Sequence, residues 1–275
     1  MLRRKPVFRL LKKHHKQLSV AVISLSACVI GAPAANANAA RGLEIMKELD
    51  GRDQGWTDQT AEMTMVLTNR QGKQSKRKIR VKNLEVRNDG DKGLTIFDSP
   101  RDVKGTAFLT FSHVKEPDDQ WIFLPALKRV KRISSNNKSG PFMGSEFAYE
   151  DISSFELGKY QYNYLKDDTI NNEEAFVVEM KPTYKHSGYT KLISWVDKSH
   201  YRIQKTVYYD RKGSKLKTLS FKNYKQFLSQ YWRPGVMHME NHQTGKKTTL
   251  SWKNYKFKTG LKESDFSQSK LKRAR

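Results

Sequence analysis

From residue 57 onward the chain alternates between apolar and polar positions. Ala61, Met63, Met65 and Leu67 are interleaved with Glu62, Thr64 and Thr68, a period of two that predicts a half-buried strand. Ile79 and Val81, set among Arg77, Lys78, Arg80 and Lys82, predict a second strand with a basic outer face. Turn sequences at residues 69–72 and 88–90 bound it. Further strands are predicted over residues 94–97, 107–111 and 120–124, then 161–165, 175–180, 190–196, 202–209, 216–221, 236–241 and 248–255. Helical spacing is confined to residues 40–51, where Leu43, Met46, Lys47 and Leu49 recur and Gly51 can end the helix. Roughly a dozen strands with few helices predict a mainly β fold, a strongly curved antiparallel sheet or open barrel. No internal repeat or long linker divides it, so a single domain over residues 40–275 is expected.

The first 39 residues read differently. Residues 1–17 hold seven Lys and Arg and no acid, residues 18–30 are apolar, and Gly31-Ala32-Pro33 breaks any helix. Small residues at A-x-A spacing follow at 35–37 and 37–39. This is the pattern of a cleaved signal peptide, and its apolar run is short for a bilayer span. Leu25-Ser26-Ala27-Cys28 also has the shape of a lipobox, so anchoring through an acylated Cys28 is the alternative. Cys28 is the only cysteine, so soluble export leaves no thiol for a disulfide, a metal or a nucleophile. The whole chain carries a formal charge of +24, and residues 40–275 keep +17. Such a surface favours anionic partners, and outside the inner membrane these are lipid phosphates, lipopolysaccharide and acidic protein faces. No nucleic-acid recognition motif is present, and export removes that partner.

Residues 121–152 carry the most specific signal. An apolar strand stops at Pro125 and runs into Lys128, Arg129, Lys131 and Arg132. After Gly140-Pro141 come an exposed-looking Phe142-Met143 tip and an acidic, aromatic segment ending in Glu150-Asp151. This predicts a sheet edge leading into a hinged flap, with Ser145 capping a short helix from Glu146.

The block resembles the LolA-like superfamily of bacterial periplasmic carriers, in the branch described as outer-membrane lipoprotein-sorting proteins. That branch shows W-x-Y/F-L-P-A-L-x-R-V-R-R-I followed by F-M-G-S/T-x-F-x-Y-E-D. Trp121, Phe123, Leu124, Pro125, Ala126, Leu127, Arg129, Val130, Arg132 and Ile133 match the first motif. Phe142, Met143, Gly144, Ser145, Phe147, Tyr149, Glu150 and Asp151 match the second. Lys131 replaces the usual Arg, keeping the charge and losing the planar fork. The resemblance implies a half-barrel sheet plugged by helices, a cavity for acyl chains, and work beside an inner-membrane exporter of the resistance-nodulation-division type.

A carrier needs an apolar concave face and a removable cover, because each buried CH₂ contributes roughly 0.8 kcal/mol without any catalytic group. The candidate cavity and lid residues are Met63, Met65, Leu67, Trp121, Phe123, Phe142, Met143, Phe147 and Trp195. Arg129 and Arg132, paired with Glu150 and Asp151, are the candidate latch or head-group contacts. The alternating His238, Glu240 and His242 lie outside the helical zincin spacing, so no metal, no cofactor and no enzymatic activity are expected. The expected function is a periplasmic carrier of lipid or lipoprotein acyl chains. An envelope-anchored lipoprotein, an exporter accessory protein and a metal-dependent envelope hydrolase are the alternatives.

Overall fold

The computed structural model describes residues 34–273; the basic leader, the lipobox and Cys28 lie outside them. The fold opens with α1 (Ala34–Arg52) and continues through β1 (Asp58–Thr68), β2 (Gln74–Leu84), β3 (Lys92–Ser99), β4 (Ala107–Phe111), β5 (Asp119–Leu124) and β6 (Arg129–Arg132). After a long connection come β7 (Tyr160–Ile170), β8 (Glu173–Pro182), β9 (Tyr189–Asp197), β10 (Ile203–Asp210) and β11 (Lys215–Lys222). A small hairpin of β12 (Lys225–Phe227) and β13 (Tyr231–Arg233) precedes β14 (Val236–Asn241), β15 (Lys247–Phe257) and α2 (Gln268–Arg273). The expected strands are present. The short strands β6, β12 and β13 and the helix α2 were not anticipated, because each is too short to show a period.

Thirteen strands form one antiparallel sheet in the order β6-β5-β4-β3-β2-β1-β15-β14-β11-β10-β9-β8-β7. The sheet does not close, so β6 and β7 are its free edges. Register breaks at Thr60/Glu62, Lys78/Ile79 and Tyr164/Lys166 insert bulges, which bend and twist a strand and so curve the sheet. The main core lies on the concave side. There Met63, Met65, Ile79, Phe97, Phe108, Val178 and Met239 pack against Ile45 and Met46 of α1 and against residues of the β6–β7 connection. A second, smaller core lies on the outer face, where Phe266 and Leu271 of the C-terminal segment cover Leu94, Ile96, Ala107 and Leu109.

Helix α1 begins earlier than expected, at Ala34, because an alanine-rich stretch is a strong helix former. It packs on β7 through Gly42, where a Cβ would stand 2.7 Å from the Tyr164 backbone nitrogen. Gly42→Ala should therefore lower stability by about 1–3 kcal/mol despite alanine's better helix propensity. An unchanged or higher melting temperature would show that the helix can shift freely.

Candidate functional site

The alternation of each strand decides which side chains meet the concave face. Met63 and Met65 are buried there, and Leu67 packs against the same core. Trp121 and Phe123 point the other way. Ile122, between them, enters the concave core, while Trp121 and Phe123 join the outer cluster under α2. Trp121 stands edge-on to Phe111 at 5.2 Å. Trp195 also faces outward, donating its indole N–H to Asp168 at 3.0 Å beneath the Lys205 ammonium. The expectation that these three aromatics line a concave cavity is corrected. Strands β3 to β5 are apolar on both faces because α2 covers the outer one, so a period of two cannot tell the faces apart.

The β6–β7 connection, residues 133–159, crosses the concave face as a flap built from short 3₁₀ turns. Its Phe142 is 1% exposed and Phe147 2%, so the expected exposed tip is instead a plug. Phe142 packs on Phe108 at 5.0 Å, on Tyr149 at 5.5 Å and on Phe97 at 6.0 Å. Met143 is half-buried, with φ of 50°, beside Gly144 at 74°. Ser145 closes the Phe142–Gly144 turn by donating to the Phe142 carbonyl, and no helix starts at Glu146. Glu146 instead accepts from Asn241 at 2.7 Å.

The flap is tied down by partners distant in sequence. Asp151 accepts from the Lys217 ammonium at 2.6 Å and from the Tyr189 hydroxyl at 2.8 Å. Both members of the ion pair are buried, at 4% and 5% side-chain exposure. Lys217 also donates to the Glu146 carbonyl at 2.9 Å. Glu150 accepts from Tyr184, Ser187 and the Gly188 backbone N–H. Burial, then the neighbouring Asp151, pushes its carboxyl up from the usual range. Arg77 reaches across from β2 to the Met143 carbonyl. At the flap's base, Lys138 donates to the Asp118 backbone carbonyl and Lys159 pairs with the Asp118 carboxylate, joining the two stems.

Arg129 and Arg132 do not take part. Arg132 pairs with Asp119, and Arg129 is exposed on the edge strand with Lys131, next to the exposed Lys128 that precedes the strand. The expected latch of Arg129 and Arg132 on Glu150 and Asp151 is therefore corrected, since sequence proximity is not proximity across a curved sheet. A signal for the true partner was present. Lys217 occupies an inward position in the row with Leu219 and Phe221, where an apolar residue is expected.

A cavity of about 1150 Å³ opens at the end of the sheet where the flap returns. Its walls are the end of α1 (Leu49, Asp53), the β2–β3 turn (Val86, Asp91), the flap stem (Ile152, Phe155, Glu156) and the β12–β13 hairpin (Trp232, Arg233). Ligand pockets commonly span roughly 300–1,000 Å³, so this space is large enough for a sizeable ligand. None of the sequence-selected cavity residues lines it. Its lining is mixed rather than apolar, and two of its arginines are engaged in ion pairs, Arg233 with Asp53 and Arg202 with Asp197. Burial, then the charges of Glu85 and Asp53, raises Asp91 to about 6, and burial, then the charge of Asp91, raises Glu156 to about 7.

His238 and Glu240 on β14 and His242 just beyond its end bind separate partners, Thr249, Lys247 and Thr218. Among the described residues, no cluster of three His, Cys, Asp or Glu side chains is placed to hold a metal. No helix among them is long and apolar enough to cross a membrane.

Comparison with known proteins agrees with this architecture. A family model described as "-like: Uncharacterized protein" matches residues 89–273. No curated protein matches. A crystal structure of an outer membrane lipoprotein-sorting protein domain from Vibrio parahaemolyticus is 61% identical, covers 86% of this chain and 100% of its own, and superposes with a TM-score of 0.84. A DUF1329 family protein from Desulfovibrio piger is 28% identical over 85% of this chain and 99% of its own, with a TM-score of 0.81. A LolA superfamily protein from Nitrosomonas europaea, 21% identical over 83% and 98%, shares the fold with a TM-score of 0.67. The thirteen-stranded open sheet and the flap that crosses it give this chain a LolA-like fold, and it belongs to the family of the outer membrane lipoprotein-sorting protein domain.

Proposed function

We propose that this protein is a periplasmic carrier that holds acyl chains of lipids or lipoproteins and moves them toward the outer membrane. The observation that carries the reading is the flap. Its apolar side chains fill the concave face of an open sheet, while its own stem walls a preformed cavity. Displacing Phe142, Met143 and Phe147 would expose Met63, Met65 and the surrounding core as a continuous apolar trough. An acyl chain can then replace what the flap covered, at roughly 0.8 kcal/mol per CH₂ on either side of the exchange. No covalent step is needed. The similarity to a lipoprotein-sorting domain supports this choice of cargo.

Loading and delivery require membrane encounters. The exposed Arg129 and Lys131 on the edge strand and Lys128 just before it, with Leu127 52% exposed beside them, offer a basic face to anionic head groups. An exporter of the resistance-nodulation-division type is the proposed inner-membrane partner. Native mass spectrometry of the protein from its own envelope should show co-purified lipid, and a fluorescent fatty acid should bind the lipid-free form. A lipid-free preparation that fails to bind the probe would remove the carrier reading. The mass of the mature N-terminus separates diffusing from anchored forms: a chain beginning at acylated Cys28 would make this an envelope-anchored lipoprotein.

A further inference from the structure

Asp151 belongs to the flap, but the groups that receive it belong to the sheet. Lys217 lies on β11, Tyr189 on β9, and their side chains converge on one carboxylate. The ammonium sits 5.1 Å from the centres of both the Tyr189 and Tyr208 rings, a cradle that favours a cation but supplies no counter-charge. Asp151 is its only ion-pair partner among the described residues. Burial, then the charges of Asp151 and Glu150, holds the Tyr189 hydroxyl far above its ordinary pKa, so it stays a donor.

Lifting the flap removes the acceptor of both the ammonium and the hydroxyl, and an acyl chain that refills the trough would bury them again unpaired. An uncompensated buried charge is strongly unfavourable. The acyl-loaded state therefore needs an anion where the Asp151 carboxylate now sits. We propose that the Lys217–Tyr189 cradle is a binding site for the anionic head group, a phosphate or carboxylate, of the acyl ligand, and that Asp151 occupies it as a stand-in when no ligand is bound. The flap then opens by exchange of one anion for another. The chain would prefer anionic over neutral lipids, and unloaded protein would stay shut.

This inference rests on the carrier reading, and one experiment tests the two separately. Binding of lysophosphatidylglycerol and of a neutral monoacylglycerol with the same chain is measured by titration. The proteins are wild type, Tyr189→Phe and the double variant Lys217→Met/Asp151→Asn, each checked for folding by circular dichroism. Wild type should favour the anionic lipid by roughly tenfold to a hundredfold, the scale of a hydrogen-bonded charge. Tyr189→Phe should reduce that ratio, and the double variant should bring it near one. A ratio that the variants do not change would overturn the head-group site and leave the carrier standing. Failure of wild type to bind either lipid would instead sink the carrier itself. Hydrogen exchange of residues 142–151 should rise with lysophosphatidylglycerol and not with inorganic phosphate. Release of the flap by phosphate alone would overturn the head-group assignment in favour of a free-anion site.

Discussion

Asp151→Ala is expected to lower the stability of the closed protein by about 3–5 kcal/mol, because it strands the Lys217 ammonium in a buried site. Both side chains are almost fully covered, and Lys217 keeps only the Glu146 carbonyl and two aromatic rings when Asp151 is removed. Lys217→Met should be similarly harmful, since it leaves the carboxylate buried. The double variant Lys217→Met/Asp151→Ala should be less destabilised than the two single effects added together, because neither charge is left alone. Urea unfolding of the four proteins measures this coupling. Arg132→Ala provides the contrast: its pair with Asp119 is two-thirds exposed on the arginine side, so a loss within about 1 kcal/mol is expected. A loss below about 1 kcal/mol for Asp151→Ala would mean that the plug of Phe142 and Phe147 seats the flap without the ion pair.

The second large effect concerns pH. Glu156 on the flap stem is raised to about 7, first by burial, then by Asp91 on the β2–β3 turn, with Asp50 and Asp118 adding to the rise and Lys159 opposing it. Asp91 is raised to about 6 by the same burial, with Glu85 and Asp53 adding; the Val86 backbone N–H and the Ser154 hydroxyl oppose the shift. A carboxyl whose folded pKa lies above its unfolded value binds more protons when folded. Stability is therefore highest below the unfolded pKa and falls as pH rises through the window ending near 7. Each pKa unit is worth 1.36 kcal/mol, and after allowance for partial exposure the Glu156 contribution is about 2 kcal/mol. Glu156→Gln should thus stabilise the protein by about that amount at pH 8 and have little effect at pH 4. Urea midpoints at both pH values decide it, and equal effects at the two would show that the stem does not bury this charge. Since the stem is also a cavity wall, the same titration should loosen the cavity at higher pH.

The positions of most strands were legible because a half-buried strand has to alternate, and residues 61–67 and 79–81 do so plainly. The flap was legible too, as the place where alternation stops between Pro125 and the strand that starts near residue 161. Two faces of an alternating strand are equivalent in sequence, however. Met63 and Met65 lie in the core on the concave side, whereas Trp121, Phe123 and Trp195 face outward. Only the covering elements distinguish the faces: α1 and the flap on one, α2 on the other.

The latch shows the same division more sharply. Asp151 and Arg132 are close in sequence, and their charges invite pairing. Sheet order carries β6 to one edge and sets β11 in the half of the sheet that the flap tip reaches, so Lys217, 66 residues away, receives Asp151. The sequence by itself determined the mainly β class, the sites of most strands, the flap and its apolar and acidic composition, since these follow from local periodicity and side-chain chemistry. Tertiary structure alone decided which face is concave, which cation meets which acid, and where space remains unfilled, because those depend on how thirteen strands are ordered and bent.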